Sequence, residues 1–515
     1  MIKSLVKKGE YFDSVSLMIV GQDVTKMEYV QDATVIMATQ ENKSILRTAG
    51  LYKKEFEQYN DTDLLIVVKS DFEDKFEEIF ENVNNLLNKI RNKKDKQGSY
   101  RPKSLEGALQ EQPDSNLALI SIAGRYAGQE AMKALKKGLN VMLFSDNVSL
   151  ETEIELKKYA IKNDLLMMGP DCGTAIINGV SLAFSNIVNK GHIGIVAASG
   201  TGLQEVSSII SEEGFGISQA IGTGGRDIKE EVEGMMFLKS MEILQDDEET
   251  KVIVLIAKPP HPSVVNKIDS KLKNFKKPVV TIFLGTDEKL FNSDNIIVAS
   301  TLEEAALYAC ALSNDTEIIE VTKFLNERRD NFQKIIDQKV SEMDSQRKYI
   351  RGLFSGGTLC DEALIILGKS ISNIFSNRSS SEKSTLTDPW FSKEHTLVDL
   401  GEDEFTVGRL HPMMDYELRN KRFIQEAKDL ETAVILFDLV LGLGANQKPL
   451  KDLLPTLNKV KTIAPEISLI CSVTGTAKDP QKRADIIQVL ENNDILVMPS
   501  NASAAEIANL IINKI

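Results

Sequence analysis

The stretch Gly191-His-Ile-Gly-Ile-Val-Ala-Ala-Ser-Gly-Thr-Gly-Leu-Gln-Glu205 is the most informative segment of this 515-residue chain. Residues 193–198 are almost wholly apolar, which is typical of a parallel strand covered on both faces. Ser199-Gly200-Thr201-Gly202 then makes a glycine-rich turn before a helix. A helix amino end has N–H groups without helical partners and a partial positive charge, so it stabilises anions. The stretch predicts either a plain strand-to-helix connection or a binding site for phosphate or carboxylate.

The composition is that of a globular protein, with 42% hydrophobic residues, 26% charged residues and a net charge of -14. This charge argues against nucleic acid or an anionic membrane as the main partner. The four cysteines are scattered and form no C-x-x-C pair, so neither a disulfide framework nor a metal site is predicted. No apolar run approaches the roughly 20 residues of a membrane span. We therefore expect a cytoplasmic protein.

The chain begins with two predicted α/β segments. Residues 1–95 form a small N-terminal unit, with strands expected at 15–20, 34–38 and 64–68 and a helix at 71–90; a charged linker follows at 91–103. Residues 105–190 alternate strands and helices as in a Rossmann-like domain. Side chains and turns at the carboxyl ends of its strands are candidates for binding an anion or a nucleotide tail: Gly124, Arg125, Asn147 and Cys172. Cys172 has the alternative of a purely structural role, since no His or Lys lies nearby in sequence to activate it.

The remainder of the chain contains an internal repeat. Residues 191–320 alternate strands and helices as in a doubly wound, flavodoxin-like sheet, and residues 345–515 present the same elements in the same order. Ser355-Gly356-Gly357 repeats the turn at 199–202, and Gly408-Arg409-Leu-His411-Pro-Met-Met-Asp415 is matched to Gly225-Arg226-Asp227. A serine-rich insertion near 370–396 lacks an apolar period and is expected to be a mobile loop or lid. The predicted fold class is therefore α/β with two repeated domains.

Each repeat supplies a glycine-rich turn and one arginine at a carboxyl edge, so two facing edges would form a cleft with two anion sites. Arg226 and Arg409 are the candidate catalytic arginines, because a guanidinium binds carboxylate or phosphate bidentately. The alternative is that they pair with Asp227 and Asp415. His411 is the candidate acid or base, with a surface or capping role as its alternative. The phosphate-binding candidates are Ser199, Gly200, Thr201, Gly202, Gly224, Gly225, Ser355, Gly356 and Gly357.

Several strings are similar to a known family. Gly169-Pro-Asp-Cys172, Gly194-Ile-Val-Ala-Ala-Ser-Gly-Thr-Gly202 and Gly222-Thr-Gly-Gly225 resemble the CoA-binding and ligase domains of succinyl-CoA synthetase and related NDP-forming acyl-CoA synthetases. The chain resembles the FdrA family still more closely, from Lys7 to Thr476. In the synthetases a ligase-domain histidine carries the phosphoryl group, whereas Gly285-Thr-Asp-Glu-Lys-Leu290 contains none.

The FdrA resemblance implies a subunit of oxamate carbamoyltransferase, which converts oxalurate and phosphate to oxamate and carbamoyl phosphate in anaerobic allantoin breakdown. It also implies small anionic substrates, further subunits as partners, and no required cofactor. The resemblance to the synthetases implies that residues 105–190 are a domain of the CoA-binding type, so CoA binding stays open at Gly124, Arg125, Asn147 and Cys172. Phosphate is then expected at 199–202, the oxamate carboxylate at Arg226 or Arg409, and proton transfer at His411. The alternative functions are an acyl-CoA synthetase-like ligase and a CoA-binding scaffold subunit.

Overall fold

The computed structural model describes every residue except 11, 13, 96–101, 103, 287–290, 292–295, 345, 380 and 407–408. The chain divides into two compact units. The first comprises Met1–Pro113 and Glu402–His411, and the second comprises Asp114–Gly401 and Pro412–Ile515. No helix in the described part of the chain is both long and apolar enough to cross a membrane.

The first unit is an antiparallel sheet with helices packed on it. The strand order is β1-β3-β2, and its elements are β1 (Ile2–Lys7), α1 (Ser14–Thr25), β2 (Asp32–Met37), α2 (Gln40–Thr48), β3 (Leu64–Lys69), α3 (Phe76–Asp95), α4 (Leu105–Glu111) and α14 (Asp403–Thr406). The strand predicted at 15–20 is wrong, because this segment lies in α1. Its short apolar run fits both periods, and Leu17, Val20 and Val24 share one helical face in the core. Most of the linker predicted at 91–103 either extends α3 or lies outside the described residues.

The second unit begins with a parallel sheet of order β4-β5-β6. Its elements are β4 (Leu117–Ile120), α5 (Gly124–Lys136), β5 (Asn140–Leu143), α6 (Leu150–Lys162) and β6 (Met167–Met168). Helix α5 starts four residues after the end of β4, and α6 starts seven residues after the end of β5. The turns at 121–124 and 144–149 therefore lie at the carboxyl edge of this sheet. Ligands of open α/β sheets bind at that edge.

The first repeat has the strand order β13-β12-β11-β9-β10-β7-β8. Its elements are β7 (Thr174–Ile177), β8 (Val180–Ala183), β9 (Lys190–Ala197), α7 (Gly200–Glu212), β10 (Ile217–Gly222), α8 (Met235–Asp246), β11 (Val252–Ala257), α9 (Pro262–Leu272), β12 (Val279–Phe283), β13 (Ile296–Val298) and α10 (Leu302–Ser313). Strands β9 to β13 are parallel, and their order is that of a flavodoxin-like sheet. β11 is buried along its whole length, as its uninterrupted apolar sequence predicts.

The second repeat has the order β15-β16-β14-β17-β18-β19. The connecting helices α11 (Ile318–Asn331) and α12 (Gln333–Ser341) precede it, and its elements are β14 (Tyr349–Phe354), α13 (Gly357–Leu367), β15 (Ile374–Ser376), β16 (His395–Asp399), α15 (Glu417–Ala427), β17 (Thr432–Val440), α16 (Pro449–Ile463), β18 (Ser468–Thr474), α17 (Arg483–Asn492), β19 (Leu496–Met498) and α18 (Asn501–Ile512). Without β15 the order is the same as in the first repeat. The predicted α/β fold with two repeated flavodoxin-like domains is confirmed.

The serine-rich insertion contains local structure that its sequence did not predict, while its mobility stays a prediction. It includes β15, which pairs with β16 at the edge of the sheet, and a local network of hydroxyl groups. The Thr385 hydroxyl donates to the Ser381 carbonyl oxygen at 2.9 Å, and Ser379 Oγ lies 2.9 Å from Ser384 Oγ. Hydrogen bonds from serine and threonine side chains to nearby backbone order this segment without the apolar period on which the prediction relied.

The two repeats pack against each other through reciprocal glutamates. Glu205 on α7 accepts a hydrogen bond from the Asn501 backbone N–H at the start of α18 (3.0 Å). Glu362 on α13 accepts one from the Leu302 backbone N–H at the start of α10 (2.7 Å). Both glutamates are six residues after the N-cap of their helix, so the contact has approximate two-fold symmetry. The repeats therefore pair like the two copies of a symmetric dimer within one chain.

Candidate functional site

The amino ends of α7 and α13 meet in the second unit. Ser199 caps α7 by accepting a hydrogen bond from the Gly202 backbone N–H at 3.0 Å. Its Oγ lies 2.5 Å from Thr358 Oγ1 in the first turn of α13, and the Thr358 N–H donates to Thr201 Oγ1 at 3.4 Å. The structure thus brings together the two predicted turns, 199–202 and 355–357. Two partial positive charges of helix dipoles converge there.

At the α13 end an internal carboxylate occupies the turn. The Ser355 backbone N–H and hydroxyl donate to Asp438 Oδ1 at 2.8 and 2.9 Å, and the Gly356 N–H donates to Oδ2 at 2.8 Å. Arg419 Nη1 donates to Asp438 Oδ1 at 3.1 Å and to its carbonyl oxygen at 2.7 Å. Both side chains are fully buried. Burial raises the pKa of Asp438, whereas the arginine and the three donors favour its charged form.

A second carboxylate, Asp399, lies against the same helix end. It is the last residue of β16, and its Oδ1 accepts a hydrogen bond from the Gly401 N–H at 2.8 Å. A Cβ atom on Gly357 would approach Asp399 Oδ2 to 2.6 Å, so the close contact requires glycine at this position. Burial raises the pKa of Asp399 to about 6. This carboxyl therefore exchanges its proton near neutral pH.

Two basic side chains from different repeats share one carboxylate beside Asp399. Lys258, which follows β11 of the first repeat, places Nζ 2.7 Å from Asp361 Oδ2 on α13. Arg378 binds the same carboxylate through Nε and Nη2, both at 3.1 Å. The Lys258 side chain is 35% exposed and those of Asp361 and Arg378 less than 20%. We name Lys258, Asp361, Arg378 and Asp399 the ionic cluster.

A second group of predicted residues gathers at the carboxyl edges of β4 and β5. Gly124 lies so close to the next turn that a Cβ would come within 2.2 Å of the Asp146 carbonyl oxygen. Asn147 has a φ of 51°, a left-handed conformation that asparagine tolerates better than most residues. Gly224 has a φ of 83°, and its Cβ would lie 2.3 Å from the Pro170 carbonyl oxygen. The turns at 124, 147, 170 and 224 are thus held in close backbone contact.

Arg226 reaches into this second group. Its Nη2 donates to the Val148 carbonyl oxygen at 2.8 Å, and its Nε lies 2.8 Å from Glu153 Oε2. The side chain is still 43% exposed. The alternative pairing with Asp227 is not what the structure shows, because the buried Lys157 holds Asp227 at 2.8 Å and Glu153 at 2.7 Å. Arg226 is therefore a preorganised guanidinium at the edge of the sheet.

The two remaining candidates of residues 105–190 are Arg125 and Cys172. Arg125 is exposed and its guanidinium stacks on the ring of Tyr126, 4.8 Å from the centroid. Cys172 is buried, and its thiol donates to the carbonyl oxygens of Thr174 and Gly222. Burial raises the pKa of Cys172 to about 12. A thiol that keeps its proton is a poor nucleophile, so the geometry of Cys172 is that of a packing residue.

Arg409 and His411 belong to the first compact unit, in the segment Glu402–His411. Arg409 is exposed, and desolvation lowers the pKa of the half-buried His411 to about 4, so this imidazole is neutral at pH 7. The expected equivalence of Arg409 with Arg226 fails. Ala197 on β9 pairs with Gly222, and the equivalent Phe354 on β14 pairs with Asp399. Gly222 and Asp399 are therefore equivalent positions, and Arg226, four residues after Gly222, is equivalent to residue 403. A short Gly-Arg match carries no information about strand register.

Sequence reasoning missed the ionic cluster. Lys258 and Asp399 each stand at the end of a strand, which is the position that predicted the other candidates. Matching the repeats on Gly-Arg motifs rather than on strand ends does not identify Asp399 as a strand-end residue at a site. Asp361 lies within α13, and Arg378 follows β15. At neither position does the sequence distinguish the side chain from an ordinary surface charge.

Three family models match the chain. A model described as CoA binding domain matches residues 188–285, a model described as CoA-ligase matches 353–511, and one described as "AllF, heavy metal-associated domain" matches 1–103. Residues 1–103 contain neither cysteine nor histidine, the ligands that soft metals prefer. Among the described residues there is also no group of three His, Cys, Asp or Glu placed to hold a metal ion. The residues of this region therefore do not fit a heavy metal.

Relatives span either the whole chain or its middle. The "Uncharacterized protein YahF" of Escherichia coli is 40% identical over 519 residues, covering 100% of this chain and 99% of that protein. The succinate–CoA ligase [ADP-forming] subunit alpha of Methanothermobacter thermautotrophicus is 26% identical over 178 residues, covering 34% of this chain and 59% of that subunit.

Solved structures with similarity include PH0766 from Pyrococcus horikoshii OT3, with 17% identity, a TM-score of 0.30, and coverage of 78% of this chain and 85% of that one. The dinucleotide-forming acetyl-coenzyme A synthetase 1 of Ca. Korarchaeum cryptofilum has 14% identity, a TM-score of 0.31, and coverage of 78% and 83%.

The prediction of a carbamoyltransferase is wrong. The second repeat matches a CoA-ligase domain and the first a CoA binding domain, which is the domain content of a CoA ligase-like protein. The finer assignment to the FdrA family stays a prediction. From its match to YahF over the full length of both proteins, the chain belongs to the YahF family, a family of succinyl-CoA synthetase-like proteins.

Proposed function

We propose that this chain is a CoA-ligase-like enzyme subunit that moves an acyl group between phosphate and the thiol of CoA. The observation that carries the proposal is the contact of the α7 and α13 amino ends, where Ser199 Oγ lies 2.5 Å from Thr358 Oγ1. In a CoA ligase-like protein, the amino end of α7 suits a phosphate group that is held while a neighbouring bond breaks, because Asp438 already occupies the turn at the amino end of α13.

The absence of histidine in the sequence 285–290 favours a reaction through a free acyl phosphate rather than through a phosphorylated enzyme. In this reaction the CoA sulfur attacks the acyl carbon, and the carbon–oxygen bond to phosphate breaks. Catalysis then consists of orienting two anionic reactants and stabilising the charge on the leaving phosphate. Ser199, Gly200, Thr201 and Gly357 are half-buried and so accessible to the phosphate.

The second group of residues is the proposed site for CoA. Arg226 presents a guanidinium held by Val148 and Glu153, and the exposed Arg125 lies near Gly124 on the same sheet edge. Such an edge is where phosphates of nucleotide-like ligands bind in α/β sheets. Bidentate arginine contacts add orientation as well as affinity.

The test is thioester formation from acetyl phosphate and CoA, together with calorimetric titration of CoA. Both the chain alone and any complex that co-purifies with it are assayed, because we expect further subunits as partners of this chain. Arg226→Ala should weaken CoA binding about tenfold or more, as expected for loss of a charge-assisted contact. The matched control is Arg329→Ala, since Arg329 is similarly exposed and pairs with Glu506 on the surface.

Thioester formation lost in Arg226→Ala but retained in Arg329→Ala supports the proposal. CoA binding without thioester formation in either preparation overturns it in favour of a CoA-binding scaffold. If CoA does not bind to either preparation, the assignment of the second group to CoA is wrong as well.

A further inference from the structure

Asp399 stands at a position that the fold does not require to be acidic. Strand pairing places Asp399 opposite Phe354 in the second repeat and Gly222 opposite Ala197 in the first. Phe354 and Ala197 both precede the N-cap of the following helix by two residues. The same doubly wound sheet therefore forms with glycine at this position. A buried carboxylate costs free energy unless its charge is compensated, so its presence here needs another reason.

The charge of Asp399 is compensated less well than that of Asp438. Asp438 has three hydrogen-bond donors from the turn and the buried Arg419. Asp399 Oδ1 has the Gly401 N–H, while Arg378 Nε lies 3.9 Å from Oδ2, beyond hydrogen-bond distance. The same guanidinium is committed to Asp361 through two contacts of 3.1 Å.

The surroundings of Asp399 leave it as the group that titrates near neutral pH. Lys258 and Arg378 share the single carboxylate of Asp361, so these three side chains together carry one positive charge that favours an ionised Asp399. The Cys360 thiol, on the helix packed against Asp399, keeps its proton because burial raises its pKa well above the usual range. Desolvation is the largest cause of the raised pKa of Asp399, about 6, and Arg378 and Lys258 oppose it. A general base works best when its pKa is near the working pH.

We propose that Asp399 is the catalytic base of this site, accepting the thiol proton of CoA as the sulfur attacks an acyl phosphate. The inference rests on the proposed function. In the step, the sulfur–carbon bond forms while the carbon–oxygen bond to phosphate breaks, and the thiol proton moves to Asp399. Asp399 then returns this proton to the leaving phosphate, which is expected at the amino end of α7. The products are the thioester and hydrogen phosphate, and Asp399 is again ionised.

The experiment compares wild type, Asp399→Asn and Asp399→Gly in thioester formation from acetyl phosphate and CoA between pH 5 and pH 8. The glycine variant copies Gly222 of the first repeat and therefore should fold. Asp164→Asn is the matched control, because Asp164 is exposed and pairs with Lys239 on the surface. Infrared difference spectra report the carboxyl group directly, with Asp399→Asn used to assign its band, and inorganic phosphate is the probe of binding.

We expect kcat/KM of the wild type to rise with pH through an inflection near 6. Both Asp399 variants should lose about 10²- to 10⁴-fold in kcat/KM, the usual contribution of a general base, without loss of phosphate binding. If the wild type is active and the Asp399 variants are equally active, Asp399 is not the base, and the proposed function is unaffected.

A wild type that forms no thioester overturns the proposed function, and infrared titration then decides about Asp399. A carboxyl band that titrates near pH 6 and shifts to higher pH on addition of phosphate supports a proton-exchanging group beside a bound anion. A band that titrates in the usual range of aspartate, or that ignores phosphate, overturns the inference.

Discussion

The amino end of α7 in the first repeat and that of α13 in the second have the same fold, but the residues beside the two turns differ in charge. At α7 the residues beside the turn are Ile256 and Gly222. At α13 the positions in the same register carry Asp438 and Asp399. Ser199 caps α7 with its side chain, whereas Gly356 at the N-cap of α13 has no capping side chain.

This difference indicates how the two copies of a duplicated domain can take different roles in one site. Two identical helix ends would bind two anions at one cleft. Here Asp438 satisfies the amides of one turn from within the protein, so an external anion is expected at α7 and acid–base chemistry at α13. The pseudo-symmetric contact through Glu205 and Glu362 has stayed the same in both repeats, because it holds the two ends together.

The largest effect is expected when the internal anion of α13 is removed. Asp438→Ala leaves the guanidinium of Arg419 buried without its partner, which should cost about 3–5 kcal/mol of unfolding free energy. Urea denaturation measures it. The double variant Asp438→Ile with Arg419→Met copies the apolar character of Ile256 and should recover most of the loss. A single variant as stable as wild type would show that the turn does not need its carboxylate.

A smaller effect, on pH dependence, is expected at the reciprocal contact. Burial raises the pKa of Glu362 to about 8 in the folded chain. Proton binding by Glu362 therefore makes its full contribution to the unfolding free energy at pH values below the pKa of this glutamate in the unfolded chain. This stability is lost as pH rises toward 8, because the unfolded chain releases its proton first. Glu362→Gln should reduce the fall in unfolding free energy between pH 5 and pH 9 by on the order of 2 kcal/mol. Glu205 has the same direction of shift, so Glu205→Gln is the parallel variant, and identical pH curves for all three proteins would refute the assignment.

The first residue of each helix sharpens the comparison further. A Cβ on Gly357 would meet Asp399 Oδ2 at 2.6 Å, whereas one on Gly200 would lie 3.3 Å from Thr174 Oγ1. Gly357→Ala should therefore cost about 1–3 kcal/mol through overpacking, and Gly200→Ala clearly less. Thermal unfolding of both variants checks this order. Asp399→Gly should relieve the clash, so a double mutant no more stable than Gly357→Ala would count against the contact.

The smallest effect is expected at the ion pair between the repeats. Lys258 is about one-third exposed, so its pair with Asp361 should contribute about 0.2–1 kcal/mol to stability. A double-mutant cycle of Lys258→Met and Asp361→Asn measures this coupling at low and high salt. Coupling of several kcal/mol would mean that the pair, rather than the glutamates, holds the repeats together.

Much of the fold could be predicted from local pattern. The apolar run at 252–257 and the turn at 199–202 identify a buried strand and a strand-to-helix turn without any tertiary information. Repetition of both in the second half predicts the duplication. The strand wrongly predicted at 15–20 shows the limit, since a six-residue segment with five apolar residues fits a helix or a strand until its neighbours are known.

The candidate site could be predicted only in part. The sequence by itself determined the two glycine-rich turns and their place at the carboxyl edges, because backbone geometry there depends on neighbouring residues. Only the tertiary structure decided which turns face each other, that Arg226 is held by Glu153, and that Arg409 belongs to the other unit. Register across strands placed Asp399 and Asp438 at the end of α13. A buried charge depends on contacts between residues more than 80 positions apart, such as Asp438 with Gly356, and no local pattern contains that information.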